Sequence, residues 1–305
     1  MTLSILMKKD VDVSTFLQFS TLTLLRGRHG WLEWLEMNWK YALCVSTLAY
    51  AASAPGAVPD GYVSYTGVAR ARHSTDILYG ERDVLLYRQG RLAERAVLYT
   101  CSDGSAFARK IVSSYPNALV PDFLFEDASN GMREGIREDA PEAATSGARS
   151  VFYRERSGDA EKSGPLPSVP GMVADAGFDE FVQSHWDSLM TGKAVDVRFL
   201  LPSRLSDYGF QVQRLRGDLI RGTPTEVFRL RLSGVWGWFL PAIDVYYSST
   251  DHVLMRYDGI SDLHDATGNN YKATIDFPVE ERKATTAQAM LDARAAPIAP
   301  CRKTQ

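Results

Sequence analysis

Residues 243–277 read IDVYYSSTDHVLMRYDGISDLHDATGNNYKATIDF, and their alternation sets the architecture expected of the whole chain. Tyr271, Ala273, Ile275 and Phe277 share one phase, while Lys272, Thr274 and Asp276 occupy the other. A period of two puts the apolar set on one face of a strand and leaves the opposite face to water. Polar residues around Thr250–His252 separate a strand at 243–249 from one at 252–263. The run DATGNN (265–270) then supplies side chains that tolerate the left-handed backbone of a tight turn into a closing strand at 270–277.

Working outward, the same pattern recurs. In TEVFRLRLSG (225–234), Phe228, Leu230 and Leu232 alternate with Arg229 and Arg231. Further strands are expected at 62–72, 83–100, 105–115, 122–127, 149–156, 194–204 and 208–217, with a hairpin turn at Gln89-Gly90 inside the second of these. Residues 128–147 read as a solvated connection, and the Gly/Pro/Ser-rich 157–172 as a long surface loop. One helix interrupts the strands: GFDEFVQSHWDSLMTG (177–192) carries Phe178, Phe181, Val182, His185, Trp186, Leu189 and Met190 on one stripe at spacings of three and four. A stripe of that size must cover something. The expected fold is mainly β: a strongly curved antiparallel sheet, a half-barrel of about ten strands, with one amphipathic helix against its concave face.

In its layout, the run 243–277 resembles the last strands of exported bacterial half-barrels, the group that includes the periplasmic lipoprotein carriers of the Lol type and uncharacterised relatives. The resemblance spans 61–278 and implies an apolar cavity that shelters acyl chains, with 177–192 in the position of a lid. The chain departs from that pattern in its longer connections at 128–147 and 157–172 and in lacking a carrier motif, so a lipoprotein cargo is not implied.

The chain has 305 residues, 45% of them apolar and 23% charged, with a net charge of −3. That balance argues against general nucleic-acid binding, which calls for a basic face. No apolar run reaches the roughly 20 residues of a membrane-spanning helix. MNWKYALCVSTLAYAASAPGA (37–57) has the order of an export signal: Lys40, an apolar stretch from Tyr41 to Tyr50, then Ala49-Tyr50-Ala51 as a small-x-small cleavage site. The competing reading is a buried helix of the domain. Under the export reading, Met37 is the initiator, 1–36 is a non-native upstream extension, 37–51 is the signal peptide cut after Ala51, and 52–60 is a linker. N-terminal sequencing decides it, since a mature chain retaining residues before Met37 defeats the reading. The domain proper is expected at 61–278, with a partly helical tail at 279–305. Cys101 and Cys301 survive the cut; in an oxidising compartment they either bridge a very long loop, a constraint of about 4 kcal/mol in the entropic model, or remain two unrelated thiols.

Candidate ligand contacts are Phe181, Trp186, Leu189 and Met190 on the helix, and Trp236, Trp238 and Phe239 in SGVWGWFLPAI (233–243). The aromatic segment reads either as an apolar lip or as a plug that folds inward. In SDLHDATG, Asp262, His264 and Asp265 stand close enough to hold a metal or act as a base, and a polar strand end produces the same spacing. No nucleophile elbow, zinc-protease motif, phosphate-binding glycine loop or CxxC pair is present, and no catalytic residue, metal or cofactor is assigned. The function expected is a periplasmic binding protein for a lipid or other elongated hydrophobic molecule, with peripheral contact to a membrane or envelope protein. Two alternatives stay open: an envelope enzyme built on Asp262, His264 and Asp265, and a structural component docking through its aromatic loop.

Overall fold

The computed structural model describes residues 60–114, 117–139, 147–234, 241–265 and 268–302. The expectations for 1–36, for the signal at 37–51 and its cleavage, for most of the linker, and for Trp236, Trp238 and Phe239 lie outside the described residues. Strands β1 (Gly61–Ala71), β2 (Ile77–Arg88), β3 (Arg91–Thr100), β4 (Ala106–Ser113), β5 (Asp122–Asp127), β6 (Met132–Glu138), β7 (Arg149–Arg154), β8 (Lys162–Pro165) and β9 (Met172–Val173) come first. Helices α1 (Phe178–Ser184) and α2 (Trp186–Met190) follow. Then come β10 (Val195–Leu201), β11 (Ser206–Ile220), β12 (Thr223–Leu232), β13 (Ile243–Ser248), β14 (Leu254–His264), β15 (Asn270–Asp276), β16 (Lys283–Thr285) and α3 (Ala287–Ala295).

All sixteen described strands belong to one sheet, in the order β8-β7-β6-β5-β4-β3-β2-β1-β15-β14-β13-β12-β11-β10-β9, with β16 on β1. The count of about ten is therefore too low. Two of the missing strands were hidden in Gly/Pro/Ser-rich 157–172, and a third, MREGIRE (132–138), in the stretch read as a solvated connection. The hairpin at Gln89-Gly90 is present, both residues having positive φ, as a two-residue turn matched to the strand twist requires.

The curvature follows from the connectivity. Fourteen strand spacings of ~4.8 Å would separate β8 from β9 by roughly 67 Å in a flat sheet. Residues 166–171, the whole connection between them, reach about 24 Å when fully extended. The sheet must curl until its two edges approach. Side chains agree: a β-carbon added at Gly164 of β8 would stand 3.7 Å from Leu205, in the β10–β11 turn near the other edge. Except for the parallel β9–β10 pair, every ladder is antiparallel.

The segment 175–190 lies inside this curl. Asp175 pairs with Lys110 of β4, whereas Phe178, three residues on, packs its ring 6.1 Å from that of Phe199 on β10. Those strands are nine places apart in the sheet, so the sheet wraps round the helical segment. Gly177 makes the entry: a β-carbon there would fall 2.1 Å from the Leu119 carbonyl oxygen. The single helix expected at 177–192 is instead two, broken at His185 (φ −108°, ψ 13°). There the Phe181 carbonyl accepts from the His185 N–H and the Ser184 hydroxyl while the His185 ring nitrogen also stands within 3.0 Å of it, a local competition that disfavours regular helix. The apolar stripe survives the break, with Phe178, Phe181, Val182, Trp186 and Leu189 all buried in the main core.

The outer face is covered in part. Met290 and Ala293 of α3 pack on Val84, Leu86, Ala96 and Leu98, so part of β2 and β3 is apolar on both faces, and VLL and AVLY are unbroken apolar runs for that reason. Thr286 caps α3 by accepting from the Ala289 N–H. The tail is then fixed to β4 by Arg109, which donates to the Arg294 and Ala296 carbonyls, and Cys301 is bridged to Cys101 with their Cα atoms 5.6 Å apart.

Candidate functional site

Strand periodicity puts Tyr79, Glu81, Asp83 and Leu85 of β2 on the inner face, beside Arg95, Val97 and Tyr99 of β3. An interior that holds so much apolar surface also holds charge, and the charge forms two groups.

The first group joins α1 to the strands. Arg95 donates to the Asp83 carboxylate at 2.8 Å, to Asp179 at 3.2 Å and to the Tyr65 hydroxyl at 3.1 Å. Tyr247 donates its hydroxyl to the other oxygen of Asp179 at 2.6 Å. One guanidinium fork thus ties β1, β2 and α1 together, and Asp179 ties α1 to β13 as well. Burial pushes the Tyr65 and Tyr247 hydroxyls far above their ordinary range, which keeps both neutral and able to donate. Beside this group opens a cleft of about 220 Å³ lined by Tyr65, Tyr87, Asp179, Glu180, Gln183 and Arg282. Further along the helical segment, Trp186 stacks on His252 with ring centres 3.7 Å apart, and Gln183 donates to the His252 carbonyl.

The second group lies deeper. Lys110 of β4 pairs with Asp175 at 2.5 Å, both almost completely buried. Asp262 is 1% exposed, and neither of its carboxylate oxygens has a hydrogen-bond partner among the described residues. Burial first, and then the negative charges of Glu134 and Asp175, hold its carboxyl well above the usual range, against a smaller opposing effect of Lys110. Glu81 is pushed up to about 7 by burial and by Asp83. Asp262 faces inward because the β14–β15 register shifts between Ile260 and His264, which allows consecutive Ser261 and Asp262 both to be buried. Tyr79 donates its hydroxyl to Ser261 at 3.1 Å.

The residues singled out in the sequence distribute as follows. Phe181, Trp186 and Leu189 are core residues, whereas Met190 turns outward and is 37% exposed. Asp262 and His264 are both buried and meet the same amide: the Asn270 side chain donates to the Asp262 carbonyl and stands 3.1 Å from the His264 ring. Asp265 sits in the following turn and accepts from the Asn269 N–H. Two further cavities lie elsewhere, about 460 Å³ on the outer face of β4–β7 and about 500 Å³ along the 166–171 crossing. Phe181, Trp186, Leu189 and His264 line none of the three.

Sequence reasoning missed Arg95, Asp83, Lys110, Asp175, Glu134 and Glu81. A signal existed in LYGERDVLLY (78–87), where Glu81 and Asp83 share the inward phase of Tyr79 and Leu85. Among the described residues, no three His, Cys, Asp or Glu side chains stand where they could hold a metal ion. No described helix is long and apolar enough to cross a membrane.

No protein-family model and no curated protein matches the chain. Among solved structures it is similar to a beta-barrel-like protein of the domain of unknown function DUF1849 from Brucella abortus, at TM-score 0.42 and 9% identity, covering 75% of this chain and 99% of that one. It is also similar to a domain described as an outer membrane lipoprotein-sorting protein from Vibrio parahaemolyticus, at TM-score 0.28 and 8% identity, over 76% of this chain and 89% of that one. A DUF1329 family protein from Desulfovibrio piger aligns at TM-score 0.24 and 8% identity, over 78% of this chain and 91% of that one. Each of these is a likeness of layout at low identity.

Proposed function

We propose that the chain is an exported envelope protein that binds a lipid or other elongated hydrophobic molecule inside its curved sheet, in the place that α1 and α2 fill. The observation that carries this reading is how the helical segment is held. It is an apolar plug whose charged fastenings among the described residues are Asp175 to Lys110 and Asp179 to Arg95 and Tyr247, with Gln183 on the His252 carbonyl as a neutral one.

Magnitudes make the exchange plausible and restrict the ligand. Withdrawing Phe178, Phe181, Val182, Trp186 and Leu189 exposes five large apolar side chains, a cost of roughly 8–15 kcal/mol. Each methylene taken from water returns about 0.8 kcal/mol, so a ligand needs on the order of 10–18 methylenes to take the helix's place. Short chains fail on this account. The sequence of 37–57 supports an envelope location, and Trp236, Trp238 and Phe239 are, from the sequence, the candidates for peripheral contact with a membrane or envelope protein.

The test is native mass spectrometry with lipid extraction on protein purified from the periplasm. A co-purifying long-chain molecule is expected, with added alkyl ligands binding above a threshold length. Absence of any bound hydrophobic molecule, together with no uptake of added long-chain ligands, defeats the reading.

A further inference from the structure

We propose that the ligand taken into this interior carries a primary ammonium group, seated beside Asp262 and Glu134. The inference deepens the binding reading above and rests on it.

Asp175 and Asp179 belong to the helical segment and leave with it. Leaving aside Glu226 and Asp244, which pair with Arg214 and Arg229, the described strands then keep buried Glu81, Asp83, Asp127, Glu134 and Asp262 against Arg95, Lys110 and the imidazole of His264, an excess of acid. Arg95 is already committed to Asp83. An amphiphile with a carboxylate head would add to that excess, an alcohol would leave it unchanged, and an ammonium would offset it.

Asp262 is the specific acceptor. It is buried, and both of its oxygens are without a hydrogen-bond partner among the described residues, whereas an ammonium brings three donors on a compact charge. The ionisable groups around it are Lys110 from β4, Glu134 from β6, Tyr153 from β7, Tyr79 from β2, Tyr257 from β14 itself, and Asp175 from the segment before α1. Lys110 is the one cation among them, so a second positive charge is accommodated. A buried acid flanked by other acids holds its proton. An ammonium placed beside it favours the carboxylate, and the displaced proton passes to solvent. Binding of an amine therefore releases a proton, and binding of an alcohol does not.

The experiment is calorimetric titration of the protein with hexadecylamine, hexadecan-1-ol and hexadecanoic acid near neutral pH, in two buffers of different ionisation heat. The expected result is an amine affinity about tenfold above that of the alcohol, the acid weakest, and release of about one proton with the amine alone. Asp262→Asn is expected to remove the proton release and to bring amine and alcohol to equal affinity. Glu134→Gln, expected to weaken the amine preference in the same direction, serves if the first variant does not fold, and the two-buffer measurement needs no variant. Equal affinity for amine and alcohol, or amine binding without proton release, overturns the ammonium assignment while leaving the binding reading intact. No binding of any of the three overturns the binding reading, and this inference with it.

Discussion

Arg95 and Lys110 are both buried cations of one interior, and their surroundings are built on different terms. Around Arg95 a planar fork meets Asp83, Asp179 and Tyr65 at 2.8–3.2 Å, with Asp179 completed by Tyr247. Around Lys110 an ammonium pairs with Asp175, while the neighbouring Asp262 has no hydrogen-bond partner for either oxygen among the described residues. The difference shows what side-chain geometry does at equal burial. A guanidinium presents five donors in a fixed planar fork, whereas an ammonium is a compact point charge, and beside it burial and neighbouring acids hold the Asp262 carboxyl above its usual range. The mouth of the interior is consequently a fastening, and its deeper part a reserve of excess acid.

If that contrast is right, the two regions respond to mutation with opposite signs. Arg95→Met strands the fully buried Asp83 carboxylate and should lower unfolding free energy by about 3–5 kcal/mol, read as a fall in denaturant midpoint at constant slope. A loss near zero would break the comparison. Next is Glu81, which lies between the two groups. Its carboxyl is raised from 4.5 to about 7, so the folded state holds a proton that the unfolded chain has released. Stability is therefore greatest below pH 4.5 and should fall by about 3 kcal/mol as the pH rises to 7, a slope that Glu81→Gln removes. A rise across that window would reverse the assignment. Asp262→Leu replaces an acid without a hydrogen-bond partner by an apolar side chain of similar size and should raise stability by about 1–2 kcal/mol, measured the same way. Destabilisation there would mean that the acid group is satisfied like the Arg95 fastening. The smallest effect is local: Asp179→Asn weakens the hold of α1 on Arg95 by about 1 kcal/mol, and amide exchange across 178–190 should quicken about fivefold with the strands unaffected.

Much of the frame was legible. Stretches such as 228–232 and 270–277 alternate cleanly, because one face packs inward and the other is more open to water. The helix stripe was equally plain, and it is the stripe that is buried. β6 escaped because MREGIRE has one strongly apolar inward pair, Met132 and Ile136, around the buried acid Glu134, and its outward residues are Arg133, Gly135 and Arg137. β8 and β9 escaped because four and two residues are too few to show a period, and the Gly and Pro in β8 and just before β9 read as loop. The interior charges were passed over for a related reason: on Glu81 and Asp83 the phase of the strand says inside while the residue type says outside, and for Asp83 it is Arg95 across the sheet that resolves the conflict.

By itself, then, the sequence determined the mainly β class, the strand phases, the tight turns and the apolar face of 178–190, because these depend on backbone sterics and on alternation within a few residues. Tertiary structure alone decided that β1 pairs with β15, that the sheet curls until β8 nears the β10–β11 turn, and that Lys110 meets Asp175 sixty-five residues away. Those outcomes turn on which distant surfaces exclude water together and which charges are left to compensate one another, and no local window of residues contains that information.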